Sequence, residues 1–522
     1  MVSKRSGSEF CCWIMEIRME TLEHIKDNEV NLNLLSQVPY FYSKNNLVIP
    51  LRIEEKTLIA AVSGNNGLLA AVELAKRLGV KVKPLRAEPG IVIEAISKYY
   101  GQISNAEEVM DNMAAEDLSS VATEFEKPRD ILELTEDAPI IRLLNALFQQ
   151  AFKERASDIH IEPYEKDLEV RMRIDGILHR VLRPPKIIQE ALISRIKIMA
   201  NLDIAEKRLP QDGRIRLLIG GQDIDLRVSI IPTSFGERAV LRLLNRKQGL
   251  IGLYEVGLDK QDENNFEKLL ENTSGIILVT GPTGSGKTTT LYAALNRVHT
   301  EGRNIITVED PVEYQLKGIG QMQVNPKIGL SFASGLRSIL RQDPDIIMVG
   351  EIRDFETAEI AIQASLTGHL VLSTLHTNDA VSSIVRLADM GMEPFLVASS
   401  LVAVVAQRLV RNICPYCKET FMPAPSEEAY FPMPVEQLYR GKGCKECRES
   451  GYLGRTGIFE ILSIDNNLRQ MISQRVDAQA IREYAVSKGM RTLYAEGIDK
   501  VLKGITTLQE ILRVTQKDYA EI

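Results

Sequence analysis

Residues 281–288 constrain this chain more than any other part of its sequence. They read GPTGSGKT and fit the phosphate-loop pattern G-x-x-x-x-G-K-[ST] at every fixed position. The apolar run 275–280 before them is typical of a buried parallel strand, and the run 289–295 after them is typical of a helix. A chance glycine-rich turn would not place strand, loop, Lys-Thr pair and helix in register. The chain is therefore predicted to bind a nucleoside triphosphate.

Each part of this loop has a predicted contact with the nucleotide. Glycines let the backbone curl until successive N–H groups point at phosphate oxygens, and the helix N-terminus adds partial positive charge. Lys287 is expected to reach the β- and γ-phosphates, and the Thr288 hydroxyl is expected to ligate Mg²⁺. The predicted nucleotide-binding residues are Gly281, Pro282, Thr283, Gly284, Ser285, Gly286, Lys287, Thr288 and Thr289.

Polar residues follow three apolar runs downstream of the loop, 304–308, 345–350 and 369–375. Ligands in open α/β sheets bind at the carboxyl ends of strands, so Glu309, Glu351 and His376 are candidate catalytic residues. Glu351 occupies the Walker-B position, from which a carboxylate binds Mg²⁺ or polarises the attacking water. The usual Mg²⁺-binding aspartate is absent there, so Glu351 is expected to hold the metal only through water. Glu309 is the second candidate base, and His376 is a candidate hydrogen-bond donor to the γ-phosphate.

Four of the cysteines form two C-x-x-C pairs. Each pair supplies two thiolates, and four thiolates complete a tetrahedral Zn²⁺ site. Disulfides are unfavourable in a reducing cytoplasm, and a redox pair needs only one C-x-x-C. The segment between the pairs is rich in Pro and Glu, has few core residues and would need the metal to fold. A structural zinc is therefore predicted at Cys414, Cys417, Cys444 and Cys447.

Composition limits the classes of function. A chain of 522 residues is expected to form roughly three or four domains. The net charge of −7 argues against a nucleic-acid binder, which usually carries a basic excess. No apolar run approaches the ~18 residues of a membrane span, and the run 10–15 is too short for a signal peptide. The protein is therefore expected to be cytoplasmic and to reach a membrane only through protein partners.

Two regions without recognisable chemistry open the chain. Residues 1–100 alternate strand and helix patterns after an irregular start, which indicates a small docking domain. The predicted strands are 47–51, 57–62 and 80–85, and the predicted helices are 67–78 and 90–100. Residues 101–136 are strongly acidic, and a stretch that repels itself and buries little is predicted to be a flexible linker.

The next region, 137–250, is predicted to be a compact α+β module. Its helical periodicity covers 139–155, alternating strands cover 168–174 and 223–230, and the sequence at 210–214 indicates a turn. The module is rich in arginine, and surface charge explains most of these residues. An arginine aimed at a γ-phosphate would instead stabilise transition-state charge. The arginines in question are Arg208, Arg214, Arg216, Arg227, Arg238 and Arg242.

Taken together, these motifs resemble one family, the ATPases that power type II secretion and assemble type IV pili. The resemblance covers roughly residues 137–515. The sequence of residues 204–214 and the four cysteines are most similar to the type II secretion branch of this family. The matching segments are ASDIHIEP at 156–163, LPQDGR at 209–214, the phosphate loop, EDPVE at 309–313, LRQDPDIIMVGEIRD at 340–354 and the His box at 368–378.

The resemblance implies a cytoplasmic, Mg²⁺-dependent ATPase that works as a homo-hexameric ring. It implies that the N-terminal domain docks on the cytoplasmic domain of a GspL-type inner-membrane partner, and that the ring acts on a GspF-type platform to add pseudopilin subunits. Arg227 and Arg242 match the family's arginines that reach the phosphates from the second module. The Gly350-Glu351 pair matches the family's own Walker B motif, and no nucleic-acid partner is expected.

Three alternatives stay open from the sequence. A type IV pilus extension ATPase has the same motifs and differs only in the partner of its N-terminal domain. A nucleic-acid motor would need a basic, aromatic channel, against which the net charge of −7 and the single tryptophan speak. A nucleotide-gated scaffold without turnover is disfavoured because Lys287 and Glu351 are both present.

The predicted fold is α/β, with a RecA-like P-loop core behind a PAS-like α+β module and a small N-terminal α/β domain. The predicted boundaries are 1–100 for the docking domain, 101–136 for the acidic linker, 137–250 for the α+β module, 251–410 for the ATPase core, 411–452 for the tetracysteine module and 453–522 for a helical C-terminal region.

Overall fold

The computed structural model describes residues 21–22, 24–25, 30–35, 37–38, 40–103, 139–219, 222–245 and 251–515. The chain divides into two compact units, Met1–Lys247 and Gln248–Ile522. The irregular start predicted for the chain lies outside the described residues, as does the acidic linker apart from 101–103. Within these described ranges, no helix combines the length and the apolar character that crossing a membrane requires.

The N-terminal module is a small sheet with helices. Its strands are β1 (Thr21–Leu22), β2 (Val48–Glu54), β3 (Thr57–Val62) and β4 (Lys81–Ala87), and its helices are α1 (Leu32–Leu35), α2 (Tyr40–Asn46), α3 (Gly64–Leu78) and α4 (Pro89–Ile103). The strand order is β1-β4-β3-β2. Helix α3 ends at Gly79, which takes the left-handed conformation with φ 67°, as the sequence predicts. The predicted strands and helices are confirmed here, with small shifts at their ends.

The second module is an antiparallel sheet with two helices on one face. Its helices are α5 (Pro139–Lys153) and α6 (Gln189–Met199), and its strands are β5 (Asp158–Pro163), β6 (Leu168–Ile174), β7 (Ile177–Leu182), β8 (Gln211–Ile219), β9 (Gln222–Thr233) and β10 (Gly236–Asn245). The strand order is β7-β6-β5-β10-β9-β8. Apolar residues of alternate strand positions, such as Ile159 and Ile161, pack with Leu144 and Leu147 of α5 in one core. The predicted turn at 210–214 is wrong, because β8 begins at Gln211 and pairs with β9.

The second unit is built on a seven-stranded sheet. Its strands are β11 (Gly275–Thr280), β12 (Ile305–Glu309), β13 (Gly320–Gln323), β14 (Ile346–Val349), β15 (Leu370–Leu375), β16 (Leu401–Ile413) and β19 (Tyr452–Ser463), in the order β13-β12-β14-β15-β11-β16-β19. A separate two-stranded sheet contains β17 (Lys418–Phe421) and β18 (Leu438–Gly441). Every pairing in the large sheet is parallel except that of β19 with β16.

Helices cover both faces of this sheet, as a parallel sheet requires. The helices of this unit in the described part of the chain are α7 (Leu253–Val256), α8 (Lys260–Leu270), α9 (Lys287–Val298), α10 (Phe332–Ile339), α11 (Phe355–Leu366), α12 (Ala380–Asp389), α13 (Pro394–Ser400), α14 (Pro425–Glu428), α15 (Asn466–Ser473), α16 (Ala478–Ser487), α17 (Leu493–Leu502) and α18 (Leu508–Thr515), of which α14 lies in the cysteine segment. Alternate residues of β11 point to opposite faces. Ile276 and Leu278 join the larger core, and Ile277 and Val279 join the core beneath α9.

Two expectations for the end of the chain need correction. The region from 453 onward is not helical at its start, because β19 occupies Tyr452–Ser463 before the helices begin. The predicted boundary between 410 and 411 falls inside β16, which runs without interruption to Ile413. The tetracysteine segment is therefore an insertion between two paired strands of the ATPase sheet.

Candidate active site and metal centre

The phosphate loop follows β11, which lies between its parallel neighbours β15 and β16. The loop turns through glycines with positive φ, 147° at Gly281 and 89° at Gly286. A Cβ at Gly281 would lie 2.4 Å from the carbonyl oxygen of Gln407, so only glycine fits there. Helix α9 begins at Lys287, and its first backbone N–H groups have no helical acceptor. The loop therefore offers a cluster of donors at a helix N-terminus, which suits a phosphate.

Lys287 is folded back into this loop. Its buried Nζ donates to the carbonyl oxygens of Gly281 at 2.8 Å and Pro282 at 3.2 Å. Burial lowers the pKa of Lys287 to about 8, with Glu351 raising it and Arg408 lowering it further. An ammonium group deprived of water gains more from an anion than an exposed one does, so the loop favours a negatively charged ligand.

Glu351 and His376 meet beside this lysine. His376 Nδ1 lies 3.5 Å from Lys287 Nζ, and His376 Nε2 lies 3.4 Å from Glu351 Oε2. Arg353 Nη2 contacts Glu351 Oε1 at 2.5 Å. The Glu351 side chain keeps 12% of its surface exposed, so a water molecule can reach the carboxylate. The structure therefore gathers these predicted residues at the loop, while their catalytic roles stay predictions.

Glu309 has more enclosed surroundings. It is the last residue of β12 and only 3% exposed. Its carboxylate accepts hydrogen bonds from the Tyr292 hydroxyl, from Thr307 Oγ1 at 2.5 Å and from Gln321 Nε2 at 3.1 Å. Burial raises the pKa of Glu309 above its ordinary value. Because protein donors occupy this carboxylate, Glu351 is the better placed of the two to act on a water molecule.

The loop that contains His376 is tied to the strand before the phosphate loop. Thr377 N donates to Thr280 Oγ1 at 2.9 Å, and the two threonine hydroxyls lie 2.7 Å apart. Arg408 Nη2 donates to the Asn378 carbonyl oxygen at 3.0 Å. These bonds hold the loop that contains His376 against β11 and β16, the two strands beside the phosphate loop.

The loop also contains a polar atom that fits an anionic ligand. Ser285 is 3% exposed, and its Oγ has no hydrogen-bond partner among the described residues. Buried hydroxyls are rarely left without a partner, so this atom is suited to a ligand oxygen. Thr288 is exposed in the first turn of α9, and Thr289 hydrogen-bonds Tyr314. These residues fit a nucleoside triphosphate with Mg²⁺, and all the contacts described above are contacts within the protein.

The two arginines matched by family resemblance lie side by side in the second module. Arg227 on β9 and Arg242 on β10 are paired in register. Arg242 Nε donates to Asp158 Oδ1 at 2.9 Å, yet the Arg242 side chain remains 55% exposed. Arg238 instead pairs with Glu162 at 2.6 Å. The remaining arginines of the predicted group are exposed: Arg208, Arg214 and Arg216.

The four cysteines converge as predicted. Their Sγ atoms all lie within 4.8 Å of one another, and all four cysteines are free thiols. The Sγ atoms of Cys414 and Cys444 are 3.8 Å apart, and those of Cys417 and Cys447 are 3.7 Å apart. A tetrahedral Zn²⁺ with bonds of about 2.3 Å places its sulfurs about 3.8 Å apart. The cluster is therefore compatible with zinc and too open for disulfides.

Backbone groups around the cluster favour thiolates. Burial alone would raise the pKa of Cys447, but the N–H groups of Cys444 and Gly451 donate to its Sγ and bring the pKa to about 7. The N–H of Gly443 donates to Cys417 Sγ at 3.3 Å and lowers its pKa, but burial and the neighbouring thiols outweigh this donor and raise the pKa of Cys417 to about 12. Such donors stabilise the charged form that binds a metal, so the loop backbone supports a metal-binding role for these sulfurs.

Several contacts of the site were not predicted from the sequence. Tyr292, Thr307 and Gln321 hold Glu309, and Arg353 holds Glu351. Gln407 was also not predicted. Its position could have been noticed in the sequence, because it is a polar residue directly after the apolar run of β16. The other residues carry no local signal, because their contacts depend on how distant strands pair.

The central phosphate loop and the polar residues around it define a RecA-like P-loop ATPase core. The X-ray structure of the Legionella pneumophila ATPase DotB has a TM-score of 0.54 and 20% sequence identity to this chain. The likeness covers 72% of this chain and 95% of that one. At this level of identity it shows the fold.

Sequence comparison then gives the family. The profile described as Type II/IV secretion system protein matches residues 133–513, and the MshEN domain profile matches residues 19–106. The type II secretion system ATPase E of Vibrio cholerae is 51% identical over 424 residues, 80% of this chain and 84% of that protein. The type IV pilus assembly ATPase PilB of Myxococcus xanthus is 43% identical over 505 residues, 95% of this chain and 89% of that protein. The chain is a P-loop ATPase and belongs to the Type II/IV secretion system protein family.

Proposed function

We propose that this chain is the Mg²⁺-dependent ATPase motor of a type II secretion system and drives the addition of pseudopilin subunits. The observation that carries the ATPase part is the line formed by Lys287, His376 and Glu351 beside the phosphate loop. The similarity to the Vibrio cholerae ATPase, together with the tetracysteine segment, supports the type II branch.

The residues of the site divide the chemistry between them. Lys287 and the N-terminus of α9 hold the β- and γ-phosphates, and the Thr288 hydroxyl binds Mg²⁺. The metal, when bound, neutralises charge that develops on the phosphates. Glu351 accepts a proton from the attacking water, and His376 keeps this carboxylate and the lysine in a fixed relation.

The second module supplies further charge in this proposal. Arg227 and Arg242 project from paired positions of neighbouring strands, so one anion can meet both guanidinium groups. The guanidinium of Arg242 is half exposed despite its bond to Asp158, and it can therefore exchange that carboxylate for a phosphate. In this proposal the two guanidinium groups stabilise the negative charge on the phosphates during hydrolysis.

The assembly belongs to the same proposal. The chain works as a homo-hexamer in the cytoplasm and reaches the inner membrane through protein partners. The described residues between 21 and 103 form a small sheet with helices, and this module is the proposed contact with the cytoplasmic domain of a GspL-type partner. The ring then acts on a GspF-type platform protein. Zinc is proposed to be structural, because four thiolates leave no coordination position for water.

A type IV pilus assembly ATPase is the second candidate. The Myxococcus xanthus relative supports it, since that protein is 43% identical over 95% of this chain. The catalytic core does not separate the two functions. Only the partner of the N-terminal module does, so the deciding experiment is a functional one in the cell.

The proposal is tested by Lys287→Ala in the purified protein and in secretion-deficient cells. Removing the ammonium should abolish measurable ATP hydrolysis and fail to restore secretion, whereas the exposed control Lys327→Ala should behave as wild type. If the wild-type chain hydrolyses ATP and restores pilus extension but not type II secretion, the pilus function is correct. Absence of Mg²⁺-dependent hydrolysis by the wild-type chain would overturn both candidates.

A further inference from the structure

Gln407 is a fully buried polar residue directly beneath the phosphate loop. It lies in β16, next to the strand that leads into the loop, and it is 0% exposed. The preceding residues of β16 are apolar, from Leu401 through Ala406. Burying a primary amide in such a strand is unfavourable unless its polar atoms are used. The contacts of the Gln407 side chain therefore indicate its role in the structure.

The carbonyl end of this side chain holds the helix that follows the loop. Thr290 Oγ1 donates to Gln407 Oε1 at 2.8 Å, and both side chains are fully buried. Thr290 belongs to the first turn of α9, and its own N–H donates to the carbonyl oxygen of Gly286 at 3.0 Å. The amide of Gln407 thus fixes the first turn of α9, where the helix N-terminus meets the phosphates.

The other polar atoms of Gln407 bear on the loop itself. A Cβ at Gly286 would lie 2.8 Å from Gln407 Nε2, and a Cβ at Gly281 would lie 2.4 Å from Gln407 O. Gln407 Nε2 has no hydrogen-bond partner among the described residues. A side chain is therefore excluded at both ends of the loop. At Gly286 the obstacle is the amide of the Gln407 side chain, whereas at Gly281 it is the backbone carbonyl oxygen that any residue at 407 would supply.

We propose that Gln407 is a positioning residue for nucleotide binding. It fixes the position and orientation of the phosphate loop and of the first turn of α9 relative to β16. The inference rests on the proposed nucleotide site and adds a residue to it. With the loop seated on Gln407, the N–H groups of Gly286 and Lys287 keep a fixed direction toward the phosphates. Without it, the loop and the helix start can shift together, and each donor loses alignment.

Two variants test this in the full-length protein. Thr290→Val and Gln407→Met preserve side-chain size but remove the bond between the two residues. Titration with Mg²⁺-ADP should give a Kd raised about tenfold by either change, with kcat at saturating ATP altered much less. The double variant should be no weaker than the poorer single variant, because both remove the same bond. Thr290→Ser keeps the hydroxyl and should restore wild-type affinity.

A matched control separates positioning from simple loss of stability. Thr506 is also fully buried and donates to the carbonyl oxygen of Arg411 at 2.7 Å, so it bonds the same strand, β16, four residues after Gln407. Thr506→Val should lower the melting temperature and leave the Kd for Mg²⁺-ADP unchanged.

The results separate a failure of the positioning role of Gln407 from a failure of the proposed nucleotide site. If folded Thr290→Val binds Mg²⁺-ADP within twofold of wild type, or if Thr506→Val weakens binding equally, the inference is overturned. Should Gln407→Met fail to fold, the Kd values of Thr290→Val and Thr290→Ser decide. A wild-type chain that does not bind Mg²⁺-ADP would instead overturn the proposed nucleotide site.

Discussion

At the scale of single residues, two glutamates at the ends of adjacent strands differ in what surrounds them. Glu309 is enclosed by three side-chain donors and nearly devoid of solvent contact, whereas Glu351 is held by Arg353 and His376 and stays accessible. A general base must reach a water molecule and release its proton afterwards. The sequence left the choice between the two carboxylates open, and the surroundings favour Glu351.

Glu351→Gln should therefore bind ATP but hydrolyse it slowly. The amide keeps the shape of the side chain and cannot accept the proton, so the rate should fall by about 10²- to 10⁴-fold. Steady-state ATPase assays with a separate nucleotide-binding measurement check this. Glu309→Gln serves as the comparison and should affect folding or binding more than proton transfer. Near-normal turnover in Glu351→Gln, with loss in Glu309→Gln, would move the base to Glu309.

Arg227 and Arg242 make a second prediction at this scale. Changing either to Gln should leave Mg²⁺-ATP binding largely intact and reduce turnover, by up to about 10³-fold if one acts as an arginine finger. Arg216→Gln is the matched control, because Arg216 is exposed on the same sheet and pairs in register with Asp225. Turnover that falls equally in all three variants would show a general effect of charge on the module.

At the scale of elements, local patterns predicted the strands and missed some of their partners. The strands 168–174 and 275–280 agree residue for residue with β6 and β11. The sequence at 210–214 indicates a turn, yet Gly213 is needed inside β8, where a Cβ would lie 2.7 Å from the Ala200 carbonyl oxygen. Strand β19 pairs with β16 across the whole cysteine segment. Such long-range pairing has no signature in a local window, so the sequence could not reveal it.

The base of the cysteine segment is bonded both to the turn before the last described helix and to that helix, α18 (Leu508–Thr515). Ile413 N donates to the Ile505 carbonyl oxygen at 2.8 Å, and Lys418 Nζ donates to the Gly504 carbonyl oxygen at 2.7 Å. Arg411 Nη2 pairs with Glu510 at 2.6 Å. Order in the cysteine segment should therefore extend into residues 504–510.

Loss of one thiolate ligand should therefore loosen both the cysteine segment and residues 504–510. Cys444→Ser should hold less than one zinc per chain by elemental analysis, and hydrogen exchange should rise at 411–452 and 504–510. Mg²⁺-ATP binding should persist, because helix α9, which follows the phosphate loop, packs in a core that contains no described residue of the cysteine segment. Ser450→Ala, which removes a hydroxyl near the cluster but no ligand, is the control. Zinc-free wild-type protein with four freely titrating native thiols would contradict the metal site.

At the scale of the whole molecule, the N-terminal module has a core of its own. Its buried residues form two clusters that contain residues of this module alone, whereas the helix beginning at Pro139 packs into the core of the second module. A region that buries its own apolar surface can be removed without exposing the core of the next. The sequence analysis places an acidic linker between the two modules, and that boundary stays a prediction.

A chain starting at Asp137 should therefore keep basal ATPase activity and lose recruitment to the membrane. The phosphate loop, Glu351 and the two paired arginines all remain, so turnover should stay within a few-fold of the full-length rate. Fractionation of cells that contain the secretion platform should find the shortened chain away from the membrane and the full-length chain with it. Lys287→Ala in the full-length chain is the control, because it removes turnover and leaves the docking module intact. Membrane recovery of the shortened chain at full-length levels would place the docking surface beyond the N-terminal module.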